Sequence, residues 1–583
     1  MHSLPLSLLR LLAALSALLP AFAQTPQLTP LSVAPNGAFG DSDSGGPSVS
    51  SDGRWAFFRS AARNLVGAEP RFDTDIFAVD LWSGDLRRIS SAPGGAEGNA
   101  DSFRAQCSSN GRFVVFASLA TNLTSPGGNG VPQIYLHALD SGLTTLVSVN
   151  LAGVAGNGAS EWADVSDDGR FVAFASRASD LVAGDTNFRE DVFVRDTVLG
   201  QTTRVSLDAL GQQASWPSGP FTPTTCAQAE ISPDGRFVVF TTIFALLPAD
   251  TNSAHDVYLV DRSNGALELI SRAPGFVLGN APSASGQISA DGRFVVFASD
   301  ASNFANGDVN AALDVFVRDR VLDTLVCASR APGGAPAGTS GSWDTPPRIA
   351  ADGSFAIFHS PSTALALGDT NSFDDVFVYS IATGALELVR PLGLTPNAAV
   401  FDAAISNEGA TLLFTTAASN LAAGDTNNRF DVFALERDAC KPTSYCTSGV
   451  SAGGCSAVLA ASGTASLSSC TLTLSATGVD GQRQGLVFYG ASGAVALPWG
   501  ASSSFMCVKS PVQRTALQSS GGAIGSCSGA YALDWCAFLA ANPTALGAPF
   551  ASGDALYAQA WYRDPASPKT TALTNGVRVE ICP

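Results

Sequence analysis

Apolar residues in this chain come in short runs punctuated by turn residues, and one run recurs with its surroundings seven times. The fifth copy reads Ile288-Ser-Ala-Asp-Gly-Arg-Phe-Val-Val-Phe-Ala-Ser and then, after a loop, Asp314-Val-Phe-Val-Arg-Asp. The turn dipeptide stands at Asp52-Gly53, Asn110-Gly111, Asp168-Gly169, Asp234-Gly235, Asp291-Gly292, Asp352-Gly353 and Glu408-Gly409, a spacing of 56 to 66 residues. An Asp-Gly pair between apolar runs predicts a β-hairpin with a primed turn, in which both residues take positive φ. The second strand, such as Phe237-Val-Val-Phe240, is apolar at consecutive positions and is expected to be buried on both faces. The third, Asp314-Val-Phe-Val-Arg-Asp319, alternates and predicts a more polar side. A fourth follows, such as Leu267-Glu-Leu-Ile-Ser271, and no repeat contains a helix-length periodic segment.

Four short antiparallel strands cannot bury their own faces, so a repeated array of them predicts stacked blades. Seven turns predict seven blades. After Asp431-Val-Phe-Ala-Leu-Glu-Arg437 the last repeat lacks a fourth strand, whereas Leu31-Ser-Val-Ala-Pro35, which matches Ile270-Ser-Arg-Ala-Pro274, precedes the first complete repeat. The N-terminal segment is therefore expected to complete blade seven and close the ring. The fold class predicted is all-β: a seven-bladed β-propeller closed by an N-terminal strand, followed by a small disulfide-rich β-sandwich-like domain.

The Ser-x-Asp-Gly-Arg-Phe-x-x-Phe-x-Ser hairpin followed by Asp-Val-Phe-Val-x-Asp resembles the TolB-type, WD-like propeller repeat of bacterial exported proteins. The resemblance spans about residues 28 to 438 and implies the fold; such repeats occur in proteins of several functions. The resemblance is to the blades alone: TolB-type proteins have six of them and a separate N-terminal domain, whereas seven blades and no such domain are expected in this sequence.

Composition changes the picture in two ways. Thirty-two lysines and arginines against 50 acids give a formal charge of −18, which repels phosphate backbones and excludes nucleic acid as a partner. Cysteine is sparse in the repeats (Cys107, Cys226, Cys327, expected as buried thiols) but dense beyond them: Cys440, Cys446, Cys455, Cys470, Cys507, Cys527, Cys536 and Cys582. An even set of eight predicts a disulfide framework in an oxidising compartment. Residues 1–23, ending Leu18-Leu-Pro-Ala-Phe-Ala23, have the apolar stretch and small-x-small site of a cleaved secretory signal. The expected division is a signal at 1–23, a propeller at 24–438 and a Cys-rich β domain at 439–583. Once the signal is removed no transmembrane span is expected, and the product is expected to be an exported monomer, periplasmic, cell-surface or secreted.

Five repeats carry a second motif before the third strand: Asp185, Asn187 and Asp191; Asp250, Asn252 and Asp256; Asp308, Asn310 and Asp314; Asp369, Asn371 and Asp375; Asp425, Asn427 and Asp431. Oxygen donors at positions 1, 3 and 7 of a short loop suit a hard cation such as calcium. The same residues also cap turns and strand ends through their own side chains, and both readings stand. Other chemistry is thin. His137, His255 and His359 are isolated and expected on the surface or in loops, and there is no Gly-x-Ser-x-Gly elbow or Cys-x-x-Cys pair. Trp216, in the interblade insertion Gln212 to Thr225, and Trp561, in the C-terminal segment, are candidate ligand-binding aromatics, with packing as the alternative. Trp162 and Trp343, before the first strands of blades three and six, are expected near one end of the channel. Pieces such as Leu486-Val-Phe-Tyr-Gly490 and Ala558-Gln-Ala-Trp-Tyr-Arg-Asp-Pro565 resemble a terminal module of secreted proteins of planctomycete-like bacteria, which implies a surface or secreted setting.

The function expected is a non-enzymatic scaffold that binds a protein or glycan at one end of the propeller. The alternative is a carbohydrate-active hydrolase or lyase using carboxylates near the axis, which no single pair in the sequence identifies.

Overall fold

The computed structural model describes residues 27–581 apart from 68–70, 214–225, 311, 333, 335, 338–345, 368, 438–442, 447, 463–464, 466–469, 500–504, 551–553 and 567–569. The chain divides into two compact units, Leu28–Arg437 and one built on Asp438–Pro583. The first holds seven four-stranded antiparallel sheets. Blades 1 to 6 run in chain order, their first strands beginning at Ser44, Ser102, Ser160, Cys226, Ser283 and Arg348. Blade 7 takes three strands from Val400–Glu436 and its fourth from Gln27–Pro30, which pairs with Asp431–Glu436. Leu31 N–H donates to Val432 O at 2.8 Å, and Ser44 N–H to Phe430 O at 2.8 Å, so the last blade is joined to the first.

The recurring residues all build blades. In each blade an aromatic pair on strands two and three stacks in register, from Phe58–Phe77 at 5.8 Å to Phe414–Phe433 at 5.8 Å. Strand two is buried on both faces, as its apolar run predicts. Strand three is buried as well, contrary to the alternation in its sequence: Arg318 is 0% exposed and makes an ion pair with Asp323. It lies between two strands of its own sheet and under the neighbouring blades, so the polar edge falls to strand four instead.

The hairpin turn also differs from the primed type. In six blades the glycine alone is left-handed, as at Gly292 (φ 72°), and only blade 7 has both residues there, Glu408 (φ 56°) and Gly409 (φ 67°). Elsewhere the preceding side chain does the work of the second positive φ: Asp291 Oδ1 accepts from Ser289 Oγ at 2.6 Å and from Arg293 N–H at 2.9 Å, an Asx-type closure. Arg293 then pairs with Asp319 at the end of strand three (2.7 Å), and Arg54–Asp80, Arg170–Asp196 and Arg236–Asp261 repeat the contact.

The second unit has a six-stranded sheet, a three-stranded sheet and a two-stranded ribbon around one core that includes Leu474, Val487, Tyr489, Trp535, Ala558 and Tyr562. Disulfides Cys446–Cys507, Cys455–Cys527 and Cys470–Cys536 tie it, as the cysteine count predicts; Cys440 and Cys582 lie outside the described residues. A short helix, Trp535–Ala541, capped by Asp534, is an element the sequence reading does not contain. No helix among the described residues is long and apolar enough to cross a membrane.

Candidate ligand-binding site at the propeller axis

The first strand of each blade is innermost, and in six blades it carries a bulge at the same place. Register shifts fall between Gly45 and Ser48, Phe103 and Gln106, Glu161 and Asp164, Ala227 and Glu230, Ala284 and Gln287, and Phe401 and Ala404. The residue inside each bulge is left-handed: Gly46 (φ 60°), Arg104 (55°), Trp162 (52°), Gln228 (56°), Ser285 (62°) and Asp402 (45°). Five are not glycine, and each such residue costs roughly 1–2 kcal/mol over an ordinary conformation. A bulge re-aims side chains, and here it directs them to the axis. Gly46, Arg104, Trp162, Gln228 and Asp402, with Pro346 of blade 6, line a cavity of about 470 Å³.

Arg104 lies 3.5 Å over the Trp162 ring and donates from Nε to Glu161 Oε2 at 3.2 Å. Asp402 Oδ2 accepts from Gly46 N–H at 3.3 Å, while Arg59 and His359 complete the wall, His359 Nδ1 lying 3.2 Å from Asp374 Oδ1.

Two residues further along the same strands stand Ser48, Gln106, Asp164, Glu230, Gln287, Arg348 and Ala404, and this second ring narrows the channel to a cavity of about 90 Å³. Arg348 spans it, donating from Nη1 to Gln106 Oε1 of blade 2 at 2.9 Å and lying 3.8 Å from Glu230 Oε1 of blade 4. Asp164 Oδ2 accepts from Ile231 N–H at 2.8 Å, and Gln287 Oε1 from Ile349 N–H at 2.7 Å, so polar side chains of this ring also pin the next blade. Burial raises the Asp164 carboxyl well above the usual range, with Glu230 adding to the rise; burial raises Glu230 too, against the pull of Arg348.

No protein-family model matches the chain, and no curated protein matches it. Solved structures do. TolB from Acinetobacter baumannii is similar at 15% identity and a TM-score of 0.31, over 63% of this chain and 60% of that one, so the chain spans less than two thirds of that TolB. An oligogalacturonate lyase in complex with manganese is similar at 12% identity and a TM-score of 0.40, over 71% of this chain and 94% of that one. The Dos1 propeller is similar at 10% identity and a TM-score of 0.37, over 71% and 95%.

The acidic loops lie away from the axis, where strand three begins. Asp191, Asp256, Asp314 and Asp431 each accept through Oδ1 from the hydroxyl of Ser206, Ser271, Ser329 or Ser32, at 2.6 Å in every case. The serine oxygen in turn accepts a strand-three N–H, as Ser271 does from Val257 at 2.9 Å. Blades 1 and 2 make the same latch with Asp75 and Gln133, although they lack the full motif. Asn187, Asn252, Asn310, Asn371 and Asn427 close Asx turns on the N–H two residues on, at 2.8–3.0 Å. Asp308 and Asp369 accept from the N–H of those asparagines at 3.4 and 3.3 Å. Asp185 lies 3.2 Å from Arg204, and Asp250 accepts from Tyr258 OH at 2.5 Å. Burial lifts Asp256, Asp375 and Asp431 to about 6; Asp425 is raised for the same reason.

Of the aromatics, Trp162 sits within strand one and lines the channel; Trp216 and Trp343 lie outside the described residues. Trp561 is half-buried on the C-terminal sheet beside core residue Tyr562. Two histidines depart from the expected surface or loop position. His137 and His359 are each 9% exposed within strands, and burial lowers His137 to about 4. Cys107 and Cys327 are buried thiols pushed up to about 12 and 11.

Apart from Trp162, which the sequence places near one end of the channel, the axial residues escape a reading of the repeats because such a reading follows what recurs. Aligning the seven repeats on their turn dipeptides would have found them, four and two positions before the serine (Ala350 in blade 6): no residue recurs at the first of these positions, and at the second only glutamine does, as Gln106 and Gln287.

Proposed function

We propose that this is an exported, monomeric, non-enzymatic binding protein whose ligand enters the mouth of the propeller axis. One observation carries the reading: the innermost strands hold strained, bulged residues that differ from blade to blade and converge on one cavity, while every recurring residue serves the blades. Strain of that kind concentrates at functional sites. An indole beside arginine, carboxylate and amide groups is the set that grips a sugar ring, with hydroxyls on the polar groups and C–H bonds over the aromatic face. A glycan end is therefore the favoured ligand. The three disulfides and the leader-like residues 1–23 support export.

The test is a glycan-array screen of the secreted protein followed by calorimetry of the hits. Trp162→Ala and Arg104→Ala should each weaken binding roughly tenfold or more. Unchanged affinity in both variants would reject the axial site, and capture of a protein ligand at the same residues would replace the glycan.

A second reading, a hydrolase or lyase, is favoured by Asp164 and Glu230, two raised carboxyls beside Arg348 below the same cavity. It predicts release of reducing ends or of unsaturated sugars from a polysaccharide that binds, abolished in Glu230→Gln.

A further inference from the structure

Blades 3 and 4 solve the same electrostatic problem differently. In blade 3 two carboxylates, Asp185 and Asp191, face one guanidinium: Arg204 Nη1 lies 3.2 Å from Asp185 Oδ1 and 3.3 Å from Asp191 Oδ2. Arg204 stands on strand four, two residues before the latch serine Ser206. In blade 4 the same two carboxylates are kept as Asp250 and Asp256, but the arginine position is Leu269, two residues before Ser271 and 1% exposed. The anions remain and the built-in cation is gone.

What is left in blade 4 is buried and incompletely partnered. Asp256 is 0% exposed and Asp250 6%. Asp256 Oδ1 takes the Ser271 hydroxyl and Asp250 Oδ2 takes the Tyr258 hydroxyl, while Asp256 Oδ2 and Asp250 Oδ1 have no hydrogen-bond partner. A buried carboxylate oxygen without a donor is costly unless a charge meets it. Blade 1 sets Arg88 3.6 Å from Asp75, and blade 2 replaces the aspartate with neutral Gln133. In blades 5 and 7 the amides of Asn310 and Asn427 donate to the second oxygen of Asp314 and Asp431 at 3.1 and 2.9 Å, whereas blade 6 leaves Asp369 Oδ2 without a hydrogen-bond partner, as blade 4 does with its own pair.

We propose that blade 4 holds a divalent cation between Asp250 and Asp256, in the place the Arg204 guanidinium takes between Asp185 and Asp191. Two carboxylates supply the charge, and an oxygen-seeking ion such as calcium, magnesium or manganese keeps water in its remaining positions. A single proton shared by the pair is the competing occupant, and it answers to pH rather than to metal.

Terbium luminescence through tyrosine excitation reads this site directly, because the Tyr258 hydroxyl is hydrogen-bonded to Asp250. The full chain, stripped with chelator, is titrated with terbium and then with calcium, magnesium and manganese chloride as competitors. Emission should rise on saturation, and Tyr258→Phe should lose emission while calorimetry still counts the same number of bound ions. Asp256→Asn should weaken the site by roughly tenfold or more. Leu269→Arg should supply the guanidinium from within, so that bound ions fall by one equivalent and the chelated protein melts no lower than wild type. Should the buried arginine prevent folding, Asp250→Asn takes its place in the count. The proposal is overturned if the count is the same in wild type, Asp256→Asn and Asp250→Asn, or if terbium emission is unaffected by Tyr258→Phe.

Discussion

Ser32 Oγ donates to Asp431 Oδ1 at 2.6 Å across 399 residues of sequence. The bond is the one Ser271 makes with Asp256, 15 residues away, so the ends of the propeller are joined by the same latch that holds strands three and four within a single blade. Ser32→Ala leaves a buried carboxylate short of a donor and should cost about 1–3 kcal/mol in urea unfolding. Removing residues 27–34 should cost more and also cause association, since Asp431–Glu436 becomes an open edge strand. Unchanged unfolding and monomeric behaviour after the deletion would refute closure by this segment.

Gly292 meets the neighbouring blade. A Cβ there would stand 2.3 Å from Phe237 Cε2, and the backbone is at φ +72°. Gly307 has a similar backbone, φ +77°, with nothing within 4 Å. Gly307→Ala should lose only the roughly 1 kcal/mol of a left-handed alanine, whereas Gly292→Ala adds an overpacking cost of about 1–3 kcal/mol. Paired thermal melts of the two variants measure the difference.

Arg204→Leu makes blade 3 resemble blade 4. With Asp185 and Asp191 buried and their guanidinium gone, the chelated protein should lose roughly 3–5 kcal/mol, the usual cost of stranding a buried charge. A loss below the error of a urea melt would show that water already solvates the pair.

Stability should fall as pH rises from about 4 to about 7. Burial raises Asp167 to about 6 and Glu190 to about 7, and raises Asp164 and Glu230 as well. Such groups hold a proton in the folded chain that the unfolded chain releases near its ordinary value of roughly 4, so folding is favoured while the proton is present and loses ground as it leaves. Carboxylates held low by arginine, such as Asp196 beside Arg170, act in the opposite sense and take over below that window. Melting temperature against pH should show a decline toward neutrality that Glu190→Gln makes shallower.

Cys455 and Cys527 close 72 residues of the C-terminal unit. Replacing both with serine should cost that unit about 2–5 kcal/mol. Hydrogen exchange of Thr473–Val479 should quicken while Phe237–Thr242 of the propeller keeps its protection, and equal loss in both strands would contradict independent cores.

How much of this was legible beforehand varies by residue. Phe237-Val-Val-Phe240 announces a doubly buried strand because hydrophobicity is a local property repeated at a fixed period. Asp291 announces a turn but not its type, since the choice depends on whether Ser289 and Arg293 reach its carboxylate. Arg318 looks like an exposed strand residue and is buried, because which strand becomes the edge is settled by the packing of blades. Trp535 begins a helix only about two turns long, too short for periodicity to reveal.

The sequence by itself determined the blade, the number of blades, the N-terminal closing strand and the disulfide-bearing second unit, because each rests on short-range patterning or on residue counts. Only the tertiary structure decided the site. Asp164, Glu230 and Arg348 are separated by 66 and 118 positions and become neighbours because a ring of seven blades turns the same strand position toward one axis. Likewise the contrast between Arg204 and Leu269 acquires meaning only when strand four is laid beside the aspartates of strand three. Periodicity specifies where each strand lies, but the chemistry of this protein is set by the side chains that depart from the period where those strands converge.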